Sequence, residues 1–72
     1  MINYSPLFKT MKEKNITSYA LIYKHGINAR TFHNIKNNKG ISTYTLERLC
    51  QILDCTPNDV IAFVEDLSLI HI

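Results

Sequence analysis

No apolar run in this 72-residue chain approaches the ~20 residues that a bilayer-spanning helix needs, and the first residues lack the apolar core of a signal peptide. The chain is therefore expected to be cytoplasmic, without membrane contact. Cysteine is scarce. Cys50 and Cys55 alone make neither a disulfide framework nor a metal knuckle, which use several cysteines at set spacings, and the pair reads as buried apolar thiols. His25, His33 and His71 are scattered, with no cysteine or carboxylate at zinc-ligand spacing, so no metal is expected and the histidines read as solvated or capping groups. There is also no nucleophile-base set, phosphate-binding loop or clustered carboxylate pair, and Glu47 and Asp54 read as ordinary helix-surface charges. No enzyme, cofactor or small-molecule ligand is expected. Without repeat, low-complexity tract or linker, the length leaves room for one domain with one core.

Acid is nearly missing from the first part of the chain. Residues 1–41 hold Lys9, Lys12, Lys14, Lys24, Arg30, Lys36 and Lys39 against Glu13 alone, a formal +6. Residues 42–72 hold Arg48 against Glu47, Asp54, Asp59, Glu65 and Asp66, a formal −4. The net +2 thus conceals two halves of opposite sign, an asymmetry that hints at a polyanion-facing end. A solvated face without a partner has the same charge pattern, so the asymmetry needs a motif beside it.

Helix punctuation supplies one. An apolar residue, a capping residue and, four positions further on, a second apolar residue recur as Ile16-Thr17…Leu21, Ile27-Asn28…Phe32, Ile41-Ser42…Leu46 and Cys55-Thr56…Val60. Each places a side-chain oxygen where it can accept from the free N–H groups of a first turn, inside a hydrophobic staple. Pro57 strengthens the last start, and Ser5-Pro6 marks an earlier one, because proline tolerates the first helical position. Five short helices are expected, making the fold all-α. Leu7, Phe8 and Met11 stripe the first; Ala29, Phe32 and Ile35 the third; Leu46, Leu49, Cys50 and Leu53 the fourth. Gly26 ends the second helix through a positive φ, and Gly40 is expected to do the same before the fourth.

The tail Leu67-Ser68-Leu69-Ile70-His71-Ile72 breaks the helical period and suits an extended segment. Residues 1–66 read as the domain and residues 67–72 as an apolar tail. Three outcomes stay open for it: pairing with the same strand of a second chain, packing as coil over the core, or fraying.

The helix capped at Thr17, the turn at Gly26-Ile27 and the helix capped at Asn28 make a helix-turn-helix from Ser18 to Asn37, with Leu21, Ile27, Phe32 and Ile35 at its inner contacts. The blocks Thr17-Ser18-Tyr19-Ala20-Leu21, Gly26-Ile27-Asn28-Ala29-Arg30-Thr31-Phe32, Thr45-Leu46-Glu47-Arg48-Leu49 and Leu53-Asp54-Cys55-Thr56 resemble the Cro/repressor-type helix-turn-helix family, the lambda-repressor-like DNA-binding domains, particularly small stand-alone bacterial or phage members. The likeness covers about residues 5–64. It implies five helices packed as one domain, the third (residues 28–38) in the DNA major groove and the second across the phosphate backbone.

Carried over by position, the resemblance assigns base reading to Ala29, Arg30 and Asn34. Their side chains have the chemistry for base edges. Arginine can bond both acceptors of guanine, asparagine can pair with adenine, and an alanine methyl can touch a thymine methyl. Contacts to the DNA backbone are implied for Thr17, Ser18 and Tyr19 at the start of the second helix, for Asn28, Thr31 and His33, and for Asn37, Asn38 and Lys39 after the third. Lys36 and Lys24 would attract phosphate at longer range. Two positions depart from the family pattern: Ile22 stands where many members carry a small alanine, and Lys36 where many carry a glutamate that pairs with the first helix.

Two functional readings stand. One is a sequence-specific transcriptional regulator on double-stranded DNA. The other is a protein-interaction module of the same fold, antitoxin-like or a repressor antagonist. An interaction face should expose large apolar groups on the third helix, whereas Arg30, Thr31, His33 and Asn34 favour DNA. A single module buries only roughly 600–1,000 Å² on DNA, so a homodimer on a palindromic operator is expected, with the apolar tail joining the copies.

Overall fold

The computed structural model describes residues 1–64, and the expected tail lies outside the described residues. Four helices and a small strand pair make the fold. The order is β1 (Ile2–Asn3), α1 (Ser5–Glu13), a π-helix (Ala20–Lys24), α2 (Ala29–Lys36), α3 (Thr43–Leu53), a 3-10 turn (Pro57–Asp59) and β2 (Ala62–Phe63).

Local capping fixes where the elements begin. Thr17 Oγ1 accepts from the Ala20 N–H at 3.1 Å, Asn28 Oδ1 from the Arg30 N–H at 2.8 Å, and Ser42 Oγ from the Thr45 N–H at 3.1 Å. These are three of the four starts that the spacing predicts. Pro6 sits in the first turn of α1, where its missing N–H costs nothing.

The fifth expected helix is a single 3-10 turn, and the bonds around it give the reason. A helix continuing past Asp59 would need the carbonyls of Asp59 and Val60 as acceptors for residues 63 and 64. Thr10 Oγ1 on α1 donates to the Asp59 carbonyl at 2.7 Å, and the Leu7 N–H donates to the Val60 carbonyl at 3.2 Å. With both carbonyls engaged by α1, the chain extends. Ala62 and Phe63 pair antiparallel with Asn3 and Ile2, and the Val64 N–H donates to the Met1 carbonyl at 2.7 Å. The all-helical expectation thus needs a correction at both ends of the described chain.

The core holds Tyr4, Leu7, Met11, Leu21, Ile27, Phe32, Ile35, Leu49, Leu53 and Val60. Truncating one of the fully buried aliphatic residues, such as Leu21 or Leu49, would cost about 2–5 kcal/mol in a domain this small. Two stripe members are exposed, and Leu46 and Cys50 are half-buried against the core. Phe8 is 41% exposed and meets the Phe32 ring edge-on at 6.3 Å, while Ala29 faces outward at the first position of α2.

The turn between the π-helix and α2 is made as the sequence predicts, with Gly26 at φ +76°. The turn before α3 is not. Gly40 has an ordinary φ, and the left-handed residue is Asn38 at φ +57°, a conformation asparagine tolerates through local hydrogen bonding. The second expected helix is wound wider than expected: the His25 N–H donates to the Ala20 carbonyl at 3.1 Å, five residues back, where an α-helix would reach four. Ile22, the large residue where the family resemblance implies a small one, is half-buried against the core in this wider segment.

Candidate nucleic-acid interface

Helical geometry sorts α2 into faces. At about 100° per residue, the inward pair Phe32 and Ile35 leaves Arg30 and Asn37 at the centre of the opposite face, flanked by His33 and Asn34. Arg30 and His33 are exposed, and Thr31 and Asn34 are half-buried at the edges. Ala29 is exposed beside the N-terminal cap. Of the three residues expected to read bases, Arg30 is thus central on the outward face, Asn34 lies at its half-buried edge, and Ala29 is exposed to one side at the capped start of the helix.

Several residues expected on the DNA backbone have structural duties as well. Asn28 Oδ1 is engaged as a cap by Arg30 and, at 3.4 Å, by the Thr31 N–H, so its amide group is the part left for a ligand. Thr17 likewise caps the segment that carries Ser18 and Tyr19, both exposed. Asn37 Nδ2 donates to the His33 carbonyl at 2.8 Å and lies 3.3 Å from His33 Nε2, which ties the two side chains into one polar unit. Beyond the left-handed Asn38, the Lys39 N–H donates to the Asn34 carbonyl at 2.8 Å, and its side chain is exposed next to the end of α2.

Lys36 stands apart from this group. Its Nζ lies 6.0 Å from the Phe32 ring centroid, on the flank of α2 where Phe32 meets Phe8 of α1. In place of the ion pair between these helices that the family resemblance implies, the structure has an edge-on aromatic contact with a cation over it.

Tyr19, just before the π-helix, and Tyr23 within it meet as tilted rings, 4.7 Å between centroids at 41°, and are 65% and 71% exposed. Two further residues were missed as contributors. Arg48, which reads as a lone cation on an acidic half, reaches from α3 to the helix-turn-helix turn, and Tyr4 is buried beneath the loop after α2. The signal available for Arg48 was that it is the one basic residue in residues 42–72.

The thiols of Cys50 and Cys55 are half-buried neighbours across the end of α3. Burial, with smaller contributions from Cys50 and Asp59, pushes the Cys55 thiol up to about 11, which keeps it protonated and unreactive at neutral pH. Among the described residues no group of three or more His, Cys, Asp or Glu side chains gathers to hold a metal ion. No helix among them is long and apolar enough to cross a membrane.

The profile of the Cro/C1-type HTH DNA-binding domain matches residues 7–66. The chain belongs to that family. Its fold is also that of the transcriptional regulator VanUg, whose crystal structure superposes with a TM-score of 0.82 at 23% identity, covering 90% of this chain and 87% of that one. No curated protein matches the chain significantly. The resemblance drawn from the four sequence blocks is thereby borne out, and the chain is a helix-turn-helix DNA-binding domain with α2 as the second helix of the motif.

Proposed function

We propose that this domain is a sequence-specific transcriptional regulator that lays α2 in the major groove of double-stranded DNA. The observation that carries the reading is the outward side of α2. There Arg30 is exposed, with Asn34 at the edge of the face and Ala29 at the start of a helix whose first N–H groups are capped by Asn28, and these are side chains with the chemistry for base edges. Arg30 takes a guanine, Asn34 an adenine, and Ala29 a thymine methyl.

Around that centre, Thr17, Ser18 and Tyr19 hold phosphates on one side, and Asn37, Asn38 and Lys39 on the other. Thr31, His33 and the Asn28 amide lie over sugar and phosphate between them, and Lys36 adds attraction from the flank. The formal +6 of residues 1–41 supports such a footprint, and the fold shared with the transcriptional regulator VanUg supports a regulatory role. The regulator acts as a homodimer on a palindromic operator. Met1, Ile2, Phe63 and Val64 expose apolar surface on and beside the strand pair, which supports an interface between copies there.

Selection from a random duplex pool at two salt concentrations tests the reading in one experiment. A regulator of this kind enriches an inverted repeat with half-sites about one helical turn apart, and its affinity falls with salt. A pool that stays random at low salt would overturn the DNA reading and return the domain to the protein-interaction class.

A further inference from the structure

Three hydrogen bonds run from a side chain to a backbone carbonyl far away in sequence, among the described residues. One, from Thr10 to Asp59, closes the C-terminal end of the domain. The other two bracket α2. Before the helix, Arg48 Nη2 on α3 donates to the His25 carbonyl at 2.7 Å. After it, the Tyr4 hydroxyl, at the end of β1, donates to the Lys39 carbonyl at 2.6 Å.

Each bond meets a specific local need. His25 ends a helix whose last carbonyls have no partner within the element, and the charged guanidinium supplies one through a short, charge-assisted contact. The same Nη2 lies 3.9 Å from where a Cβ on Gly26 would stand, so Arg48 sits directly against the turn. On the other side, the chain leaves α2 through a left-handed Asn38, and the Lys39 carbonyl is held by a tyrosine that is 3% exposed. Arg48 rides on a helix anchored by Leu49 and Leu53, and Tyr4 follows a strand paired to β2, so both donors come from fixed elements. The helix between the two carbonyls has only eight residues, with Phe32 and Ile35 as its buried contacts. Two apolar contacts on one face resist rocking and rotation of a short helix weakly, whereas bonds at both ends oppose them directly.

We propose that Tyr4 and Arg48 are positioning residues that hold the two ends of α2 at the angle needed to read DNA. They do not touch DNA themselves. The proposal rests on the DNA-reading function of α2 given above and adds the parts of the fold that aim it. It also makes the strand pair part of the reading apparatus, because β1 delivers Tyr4 to the loop after α2.

The test uses the full chain with Tyr4→Phe, which removes one hydroxyl, and Arg48→Met, which keeps the aliphatic stem. Arg48→Lys serves as the conservative rescue. Affinity is measured for the selected duplex and for a scrambled one across a salt series, and amide exchange is followed in the free protein. Loss of one such bond should lower the preference for the selected duplex by about tenfold, with scrambled-duplex affinity and salt slope unchanged. Arg48→Lys should recover part of the preference.

In the free protein, exchange should quicken at the Ile27 amide in Arg48→Met and at the Lys39 amide in Tyr4→Phe, with the Leu53 amide unchanged. A salt slope reduced by about one in Arg48→Met, with equal loss on both duplexes, would make Arg48 a phosphate ligand and overturn the proposal. Unchanged preference would overturn it, and so would exchange that quickens equally at Leu53, which signals general destabilisation. If the wild-type chain prefers no duplex, the functional reading fails by itself. The amide exchange then decides whether the two bonds hold the helix.

Discussion

The hydroxyl of Thr10 donates a 2.7 Å hydrogen bond to the carbonyl of Asp59, joining α1 to the 3-10 turn at the point where a fifth helix was expected to continue. Thr10 is a buried polar residue, at 7% exposure, and its bond both satisfies the hydroxyl and commits the Asp59 carbonyl. Thr10→Val keeps the shape and removes the donor. It should cost about 1–2 kcal/mol, read as a lower urea midpoint with unchanged slope, because the partly buried carbonyl loses its partner. A valine variant as stable as the parent would mean that the bond does not decide how the chain ends.

What the sequence carries clearly is local. Thr17, Asn28 and Ser42 each act on N–H groups two or three residues away, so composition and spacing suffice to find them. The outward arrangement of Arg30 and His33 follows from helical period alone, whereas Ala29, which the same period assigns to the apolar stripe, is exposed at the first position of α2. The missed features join distant residues. Ile2 pairs with Phe63, and a two-residue strand has no alternation to read. Tyr4 and Arg48 look like an edge aromatic and a surface cation until the fold brings them to Lys39 and His25. Gly40 illustrates a different failure: glycine is a common left-handed residue, yet Asn38 takes that conformation two positions earlier, and local sequence did not distinguish them.

The cap at Asn28 makes stability and DNA binding separable. Asn28→Asp keeps an oxygen for the Arg30 N–H and adds a charge favourable at a helix start, while Asn28→Ala removes the cap. Alanine should lower thermal stability by about 1 kcal/mol, and aspartate should keep it. Aspartate should nevertheless weaken binding to any duplex, since it places a negative charge beside phosphate where the amide donor stood. Denaturation curves and duplex titrations on both variants check the two halves independently.

Gly26 has φ +76°, and a Cβ there would meet no atom closer than Arg48 Nη2 at 3.9 Å. The obstacle to a side chain is therefore the backbone conformation rather than space. Gly26→Ala should destabilise by roughly 1–2 kcal/mol, the cost of a left-handed alanine, with the fold intact by circular dichroism. Gly26→Asn, which tolerates that region better, should recover part of the loss.

Alkaline pH acts on the other end of α3. The Cys55 thiol, ordinarily at 9.0, is raised to about 11, chiefly by burial. A raised value means that the folded state holds its proton more tightly than the unfolded one. The resulting stability is complete below pH 9 and is lost as pH rises toward about 11. The Tyr4 hydroxyl is raised in the same direction by burial and adds to the trend. Stability should fall across that window in the parent chain, and the fall should be smaller in Cys55→Ala. Equal slopes in the two proteins would remove Cys55 as a contributor.

Arg30 and Lys39 stand at opposite ends of α2, and their expected roles predict different losses. Arg30 lies at the centre of the outward face and would form paired bonds to one guanine, so Arg30→Ala should cost about 1–3 kcal/mol on the selected operator and relax preference at one base pair. Lys39 lies past the helix end, where a flexible ammonium meets phosphate as a point charge. Lys39→Ala should weaken selected and scrambled duplexes by the same factor and reduce the salt slope by about one. Titration of both variants on both duplexes at three salt concentrations separates the roles. Arg30→Ala binding its operator as tightly as the parent would show that base reading rests on other side chains. A Lys39→Ala loss confined to the selected duplex would move Lys39 from the phosphate backbone to the base edges.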